Sequence, residues 1–149
     1  DDVELFISTN VGEEAKSLAK IASGGELARI MLSIKNVLAD RDAVGTLIFD
    51  EVDTGVSGRA AQKIGQKLAQ VAVQRQVIVV THLAQVAAFA QTHLLIAKTA
   101  RDNRTFTSIT PLDEDARTRE LARIIGGESV SEIALQHAHE MLESAKNAR

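Results

Sequence analysis

Two almost unbroken aliphatic runs, Val44 to Phe49 and Val77 to Val80, constrain this chain most. Runs of strand length without polar alternation are what a parallel sheet covered on both faces requires. Leu94 to Ala97 is a third such run. Between the first two, Arg59 to Val73 carries Ile64, Leu68 and Val71 at helical spacing, and Ala84 to Ala90 separates the second from the third. Strand, helix, strand, helix, strand in that order predicts right-handed crossovers and an α/β core, a mostly parallel sheet flanked by helices.

The remaining segments read around that centre. Val3 to Ser8 predicts a short strand with Leu5 and Ile7 on one face, and Asn10 to Ala22 a polar connector. From Gly24 the period turns helical, with Leu27, Ile30, Met31, Ile34, Val37 and Leu38 at the spacing of a buried stripe, and Asp40-Arg41-Asp42 ends that helix. Thr105 to Thr110 alternates and predicts an antiparallel edge strand, which Pro111 separates from a helical tail at about 113–147. The tail reads as Asp113 to Ile125 and Ser129 to about Ala145, broken at Gly126-Gly127, a good helix C-cap. A chain of 149 residues has room for one domain, so 1–149 reads as a single lobe. Its only aromatics are four Phe, so Ala, Leu, Ile and Val must build the core.

Composition removes several function classes. A net charge of -3 gives no broad attraction to DNA or to acidic membranes, and leaves room only for a local patch. Without cysteine there is neither a disulfide framework nor a Cys-based zinc site, and the four His form no H-E-x-x-H. No apolar run approaches the length of a membrane span. The chain begins at Asp1 with neither a basic segment nor an apolar leader behind it, which reads as an excised piece of a cytoplasmic protein.

Four places carry residues suited to chemistry. Asp50-Glu51 closes the first aliphatic run, where open α/β sheets bind ligands. The two side chains are expected on opposite faces of the strand, or one just past its end. One then serves a hydrated Mg²⁺ and the other a water near a γ-phosphate. A solvated acidic turn is the plain alternative. Ser23-Gly24-Gly25-Glu26 opens a helix. Two glycines let an anion approach the backbone, the helix start aims N–H groups outward, and Ser23 adds a hydroxyl. Ser23 and Glu26 also form a capping box that needs no ligand, although two glycines then weaken the first turn for nothing. His82 follows the second run at the same sheet edge. There a neutral imidazole donates to a phosphate oxygen or fixes the attacking water, or else simply caps the next helix. Asp53-Thr54-Gly55-Val56-Ser57-Gly58 is turn-rich, and Ser57 is a candidate cap bordering any nucleotide site. His93, His137 and His139 read as surface or structural. Nothing matches G-x-x-x-x-G-K-[ST], the loop that holds a nucleotide's phosphates, so these parts read as half of a split ATPase.

In this order the elements resemble ABC-type ATPase heads. Ala22 to Glu26 is similar to the signature motif, with Ala22 where Leu is usual, and Leu47 to Glu51 is similar to a Walker B strand. Val52 to Ser57 resembles the D-loop, with Ser57 where many members carry Asp, and His82 resembles the switch histidine. The separations, 27 residues from Ser23 to Asp50 and 32 from Asp50 to His82, suit that family. A more specific resemblance, covering nearly the whole chain, is to the C-terminal part of the RecN family of bacterial DNA-repair proteins, relatives of the chromosome-maintenance (SMC) proteins. Ile7 to Asn10, Ala22 to Ile30, Phe49 to Gly58, Thr81 to Ala87 and Glu120 to Gly127 carry it, and Ser57 fits that family's own pattern. Transporter domains usually place Pro-Thr where this chain has Val52-Asp53.

The resemblance implies a P-loop NTPase-like head with its Walker A lobe absent from this chain, the two lobes being joined through a long antiparallel coiled coil. It implies ATP and Mg²⁺ as cofactors. Asp50 would assist Mg²⁺, Glu51 activate water and His82 contact the γ-phosphate in the chain's own head. Ser23 and Gly25, in the segment Ser23-Gly24-Gly25-Glu26, would reach ATP held by a second head, with Ser57 at the border. The implied partners are the N-terminal lobe, a second head in an ATP-dependent homodimer, and DNA through the assembled protein, with no membrane. The implied setting is double-strand break repair and recombination in the SOS response, in the cytoplasm at the nucleoid. The alternatives are another SMC-like or transporter-type ABC ATPase, or a catalytically silent dimerisation domain. Since the two aliphatic runs are too apolar to face water, the chain is expected to bind its missing lobe or to self-associate.

Overall fold

A computed structural model describes residues 3–8, 11–18, 23–38, 44–101 and 104–148. Among them, in chain order, are β1 (Phe6–Ile7), β2 (Lys16–Ser17), α1 (Gly24–Val37), β3 (Thr46–Phe49), α2 (Gly58–Val71), β4 (Gln76–Val79), α3 (Ala84–Ala87), β5 (Leu94–Arg101), β6 (Arg104–Pro111), α4 (Glu114–Gly126) and α5 (Glu132–Asn147). The α/β class is as expected. The connector expected over Asn10 to Ala22 contains β2, paired antiparallel with β1. Thr9, Asn10, Ala22 and Asp40-Arg41-Asp42 lie outside the described residues.

The parallel pair β3–β4 positions the site. Its register runs from Thr46↔Gln76 to Phe49↔Val79, and the Val80 N–H donates to the Phe49 carbonyl at 3.0 Å. Leu47 and Phe49 turn inward onto Leu32 of α1 and onto Ala61, Ile64, Leu68 and Val71 of α2. The two-residue period of a strand sends Ile48 the other way, and it is 70% exposed; Ile78 and Val80 are exposed as well. The expected cover on both faces is therefore present on one face only.

The third aliphatic run does not join this pair. β5 and β6 form an antiparallel hairpin in register from Leu94↔Pro111 to Arg101↔Arg104. The connection from β4 holds one helical turn, α3, rather than a crossover helix, and β6 takes up an edge of β5 over all eight residues. Thus among the described residues the parallel sheet has two strands, not three.

A second core joins α3 to the tail. Ala84, Ala87, Ala88 and Phe89 pack with Leu121 and Ala122 of α4 and with Ala134, Ala138, Leu142 and Ala145 of α5. Alanines let these helices approach closely. The tail helices begin on real caps: Asp113 Oδ1 accepts from the Ala116 N–H at 2.8 Å, and Ser131 Oγ from the Ala134 N–H at 3.2 Å. Gly127, at φ 83, ends α4 where the sequence places the break. Arg117 of α4 reaches back to α3. Its Nη2 donates to the carbonyls of Ala87, Ala88 and Ala90 at 3.2, 2.9 and 2.5 Å, satisfying the end of a helix one turn long.

Candidate functional site

The loop after β3 is the centre of the site. The strand ends at Phe49, so Asp50 and Glu51 both lie past its end, which is neither of the two expected arrangements, opposite faces of the strand or one residue just beyond it. Both are exposed. Asp50 Oδ1 accepts from the Glu51 N–H at 2.9 Å. Glu51 adopts φ 58, a left-handed conformation that side-chain-bearing residues rarely take and that recurs at functional turns. The next two residues turn inward: Val52 is fully buried in the first core and Asp53 is 2% exposed.

The start of α1 closes on this loop within the same chain. The capping box is made: Ser23 Oγ accepts from the Glu26 N–H at 3.4 Å, and Glu26 Oε2 from the Ser23 N–H at 3.3 Å. The two glycines also have a local reason. A Cβ at Gly24 would lie 2.5 Å from Glu51 Oε2, and one at Gly25 would lie 2.9 Å from the Glu51 carbonyl and 3.1 Å from Thr54 Cβ. Arg29 of α1 fastens the contact, its Nη1 donating to the carbonyls of Thr54 at 2.8 Å and Val52 at 3.3 Å. The Glu51 carboxylate thus rests at the positive end of α1.

The parallel register sets the loop after β4 alongside. Asp53 Oδ2 accepts from the Thr81 hydroxyl at 2.5 Å and from the His82 N–H at 3.1 Å, and lies 3.4 Å from His82 Nδ1. Thr81 Oγ1 in turn accepts from the Leu83 N–H at 3.1 Å. The His82 side chain is 74% exposed. It does not cap α3, whose N-cap is Leu83, so that alternative for His82 falls away. Asp53 is the residue that sequence reading missed. The sequence shows it only as part of a turn-rich loop, whereas its buried carboxylate ties that loop to the one after β4.

Ser57 occupies the N-cap position of α2, but its hydroxyl makes no capping bond. Gly58, at φ 51, turns the chain so that the Ser57 carbonyl receives the N–H groups of Ala60 and Ala61 at 3.2 and 3.5 Å. His137 and His139 are exposed on α5. His93 is half-buried; burial, and then the Arg117 guanidinium, hold its imidazole below the ordinary range, with Glu120 opposing.

Two carboxylates, an imidazole and a glycine-rich helix start thus meet at one edge of a parallel pair. Beside them α1 and β3 border an open, mainly apolar groove of about 360 Å³, lined by Leu27, Met31 and Ile48 and reaching Asp50. No group of three or more His, Cys, Asp or Glu able to hold a metal occurs among the described residues.

No protein-family model matches the chain. It is similar over all 149 residues to DNA repair protein RecN of Bacillus subtilis, at 49% identity, and to that of Streptomyces coelicolor, at 48%. The RecN of Haemophilus influenzae is 45% identical over 143 residues. The chain spans about a quarter of these relatives, 26% of the length of each. Among solved structures it shares its fold with a chain from work on the structural biochemistry of ATP-driven dimerization and DNA stimulated activation of SMC ATPases. The TM-score there is 0.53 and the identity 19%, over 79% of this chain and 70% of that one.

Proposed function

We propose, taking as premise that this chain matches a quarter of RecN along its whole length, that it is the C-terminal lobe of an SMC-like ATPase head acting in DNA repair. The observation that carries the reading is the joining of the Asp50-Glu51 loop to both the α1 start and the His82 loop. In this reading Asp50 holds Mg²⁺ through water, Glu51 orients or deprotonates the attacking water, and His82 serves the γ-phosphate end of ATP. Mg²⁺ supplies charge neutralisation at the phosphates. Ser23, Gly24, Gly25 and Glu26 present the α1 start to ATP held by a second head, with Ser57 at the border. Glu51 and that ATP then compete for one helix terminus, so head closure frees the carboxylate for work.

The Walker A lobe is the partner that completes the nucleotide site, and a second head completes the dimer. DNA is met by the assembled protein in double-strand break repair and recombination within the SOS response. The setting is the cytoplasm, at the nucleoid; no described helix is long and apolar enough to cross a membrane. The chain alone neither holds ATP tightly nor turns it over. The test is to measure ATP hydrolysis and light scattering with and without the N-terminal lobe. Glu51→Gln in the assembled protein should retain ATP and accumulate dimers, and Ser23→Arg should bind ATP yet fail to dimerise. Steady turnover by the 149-residue chain, or ATP-driven dimers of Ser23→Arg, would refute this division of roles.

A further inference from the structure

From Thr54 to Arg101 the chain holds no Asp or Glu, although its net charge is -3. Three of the cations in that stretch, Arg59, Lys63 and Lys67, stand on α2, and all three are exposed. Each is four residues from the next, so they step about 6 Å along the helix axis and stay close to one line. Gln62, Gln66 and Gln70 repeat the same interval beside them. Among the described residues none of the three cations forms an ion pair. Lys67 Nζ donates only to the neutral Gln70 Oε1, at 2.9 Å. The opposite face of α2 is already occupied: Ala61, Ile64, Gly65, Leu68 and Val71 are buried. The row of charge therefore stands on a fixed support and faces outward.

We propose that this outer face of α2 binds the sugar-phosphate backbone of duplex DNA. The proposal rests on the reading that the assembled protein meets DNA, and it says where. A lipid surface would need the apolar face of the helix, which the core has taken. A single strand would need aromatic rings on which its bases stack, and α2 carries none. A row of cations flanked by amides suits phosphates and sugars, and it reads no base edge. The helix also leads directly out of the loop that follows Glu51, with Gly58 as its first residue. A duplex held there lies along the element that leaves the candidate site.

The experiment is fluorescence anisotropy of a short labelled duplex with the protein assembled with its Walker A lobe, at several salt concentrations. Arg59→Gln, Lys63→Gln and Lys67→Gln each remove one charge and keep a good helix former. Each should weaken binding by a similar factor whatever the base sequence, and should lower the salt slope by about 1. The triple variant should bind about tenfold more weakly at low salt. Arg119→Gln, on the exposed surface of α4, should bind as the parent does. Unchanged affinity and salt slope in the α2 variants would overturn the proposal, and so would an equal loss in Arg119→Gln, which traces the effect to net charge. Tighter binding of a single strand than of the duplex would overturn it too. Loss of lobe association in the α2 variants, with DNA binding intact, would assign the row to an acidic protein surface instead. The single variants decide the matter even if the triple variant fails to assemble. A parent that binds no DNA at all refutes the DNA reading itself, and the proposal with it.

Discussion

The two cores of this chain are built on different plans. Beneath β3 and β4, branched side chains fill one face of the sheet while Ile48, Ile78 and Val80 stand open on the other. In the tail, alanines and Leu121 close α3, α4 and α5 on one another. The chemistry-bearing loops all emerge from the first region. The half that carries the site is the half whose sheet is open on one face, while in the other half the helices cover one another. A lobe meant to be completed by another lobe would show this asymmetry.

The contrast breaks most readily at Leu121, which is fully buried in the tail. Leu121→Ala should cost about 2–5 kcal/mol, read as a lowered denaturation midpoint. A loss below that range would mean that the tail core is not closed. Gly65→Ala comes next, because a Cβ there would collide with the Phe89 ring and lie 3.1 Å from the Gln85 carbonyl where α2 meets α3. About 1–3 kcal/mol is expected from overpacking, again by denaturation.

A smaller effect concerns pH. The folded His93 imidazole is held below its ordinary value of 6.5, by burial first and by Arg117 second. Below that value the unfolded chain takes up more protons at this site than the folded one. Stability is thus fully present above 6.5 and declines as pH falls toward the folded pKa. Melting scans from about pH 7.5 down to about pH 5.5 should show this decline, and His93→Gln should flatten it. Equal slopes for the two proteins would remove His93 as the cause. The smallest effect is Ile48→Ser, within about 0.5 kcal/mol for the isolated chain, since the side chain is already in water. It should nevertheless weaken capture of the N-terminal lobe in a pull-down. A large loss of stability in the isolated chain would mean that the open face is covered.

Much of this was legible in the residues. The helix from Gly24, the break at Gly126-Gly127 and the placing of Asp50, Glu51 and His82 at one sheet edge follow from local pattern. But the stripe expected to be buried on that helix is not: Leu32 enters the core while Leu27, Met31, Val37 and Leu38 are exposed. What misled was apolar content read as burial. Val77 to Val80 has no polar residue to reveal which face is covered, and Leu94 to Ala97 does not show whether its partner strand is parallel. Asp53 was missed because a loop's turn chemistry says nothing about a contact 28 residues away.

The Arg117 clamp also carries a consequence for time. A helix of one turn does not persist by itself, because nucleation is unfavourable and there is no length over which to recover it. The carbonyls that end α3 wait for a guanidinium roughly thirty residues later in the chain. Loop closure over that distance precedes any gain from the contact. The segment just behind His82 should therefore acquire its amide protection late during refolding, together with α4 and after β3 and β4 have paired. In pulse-labelling exchange, the maturation of the site would be timed by a residue that belongs to none of its motifs.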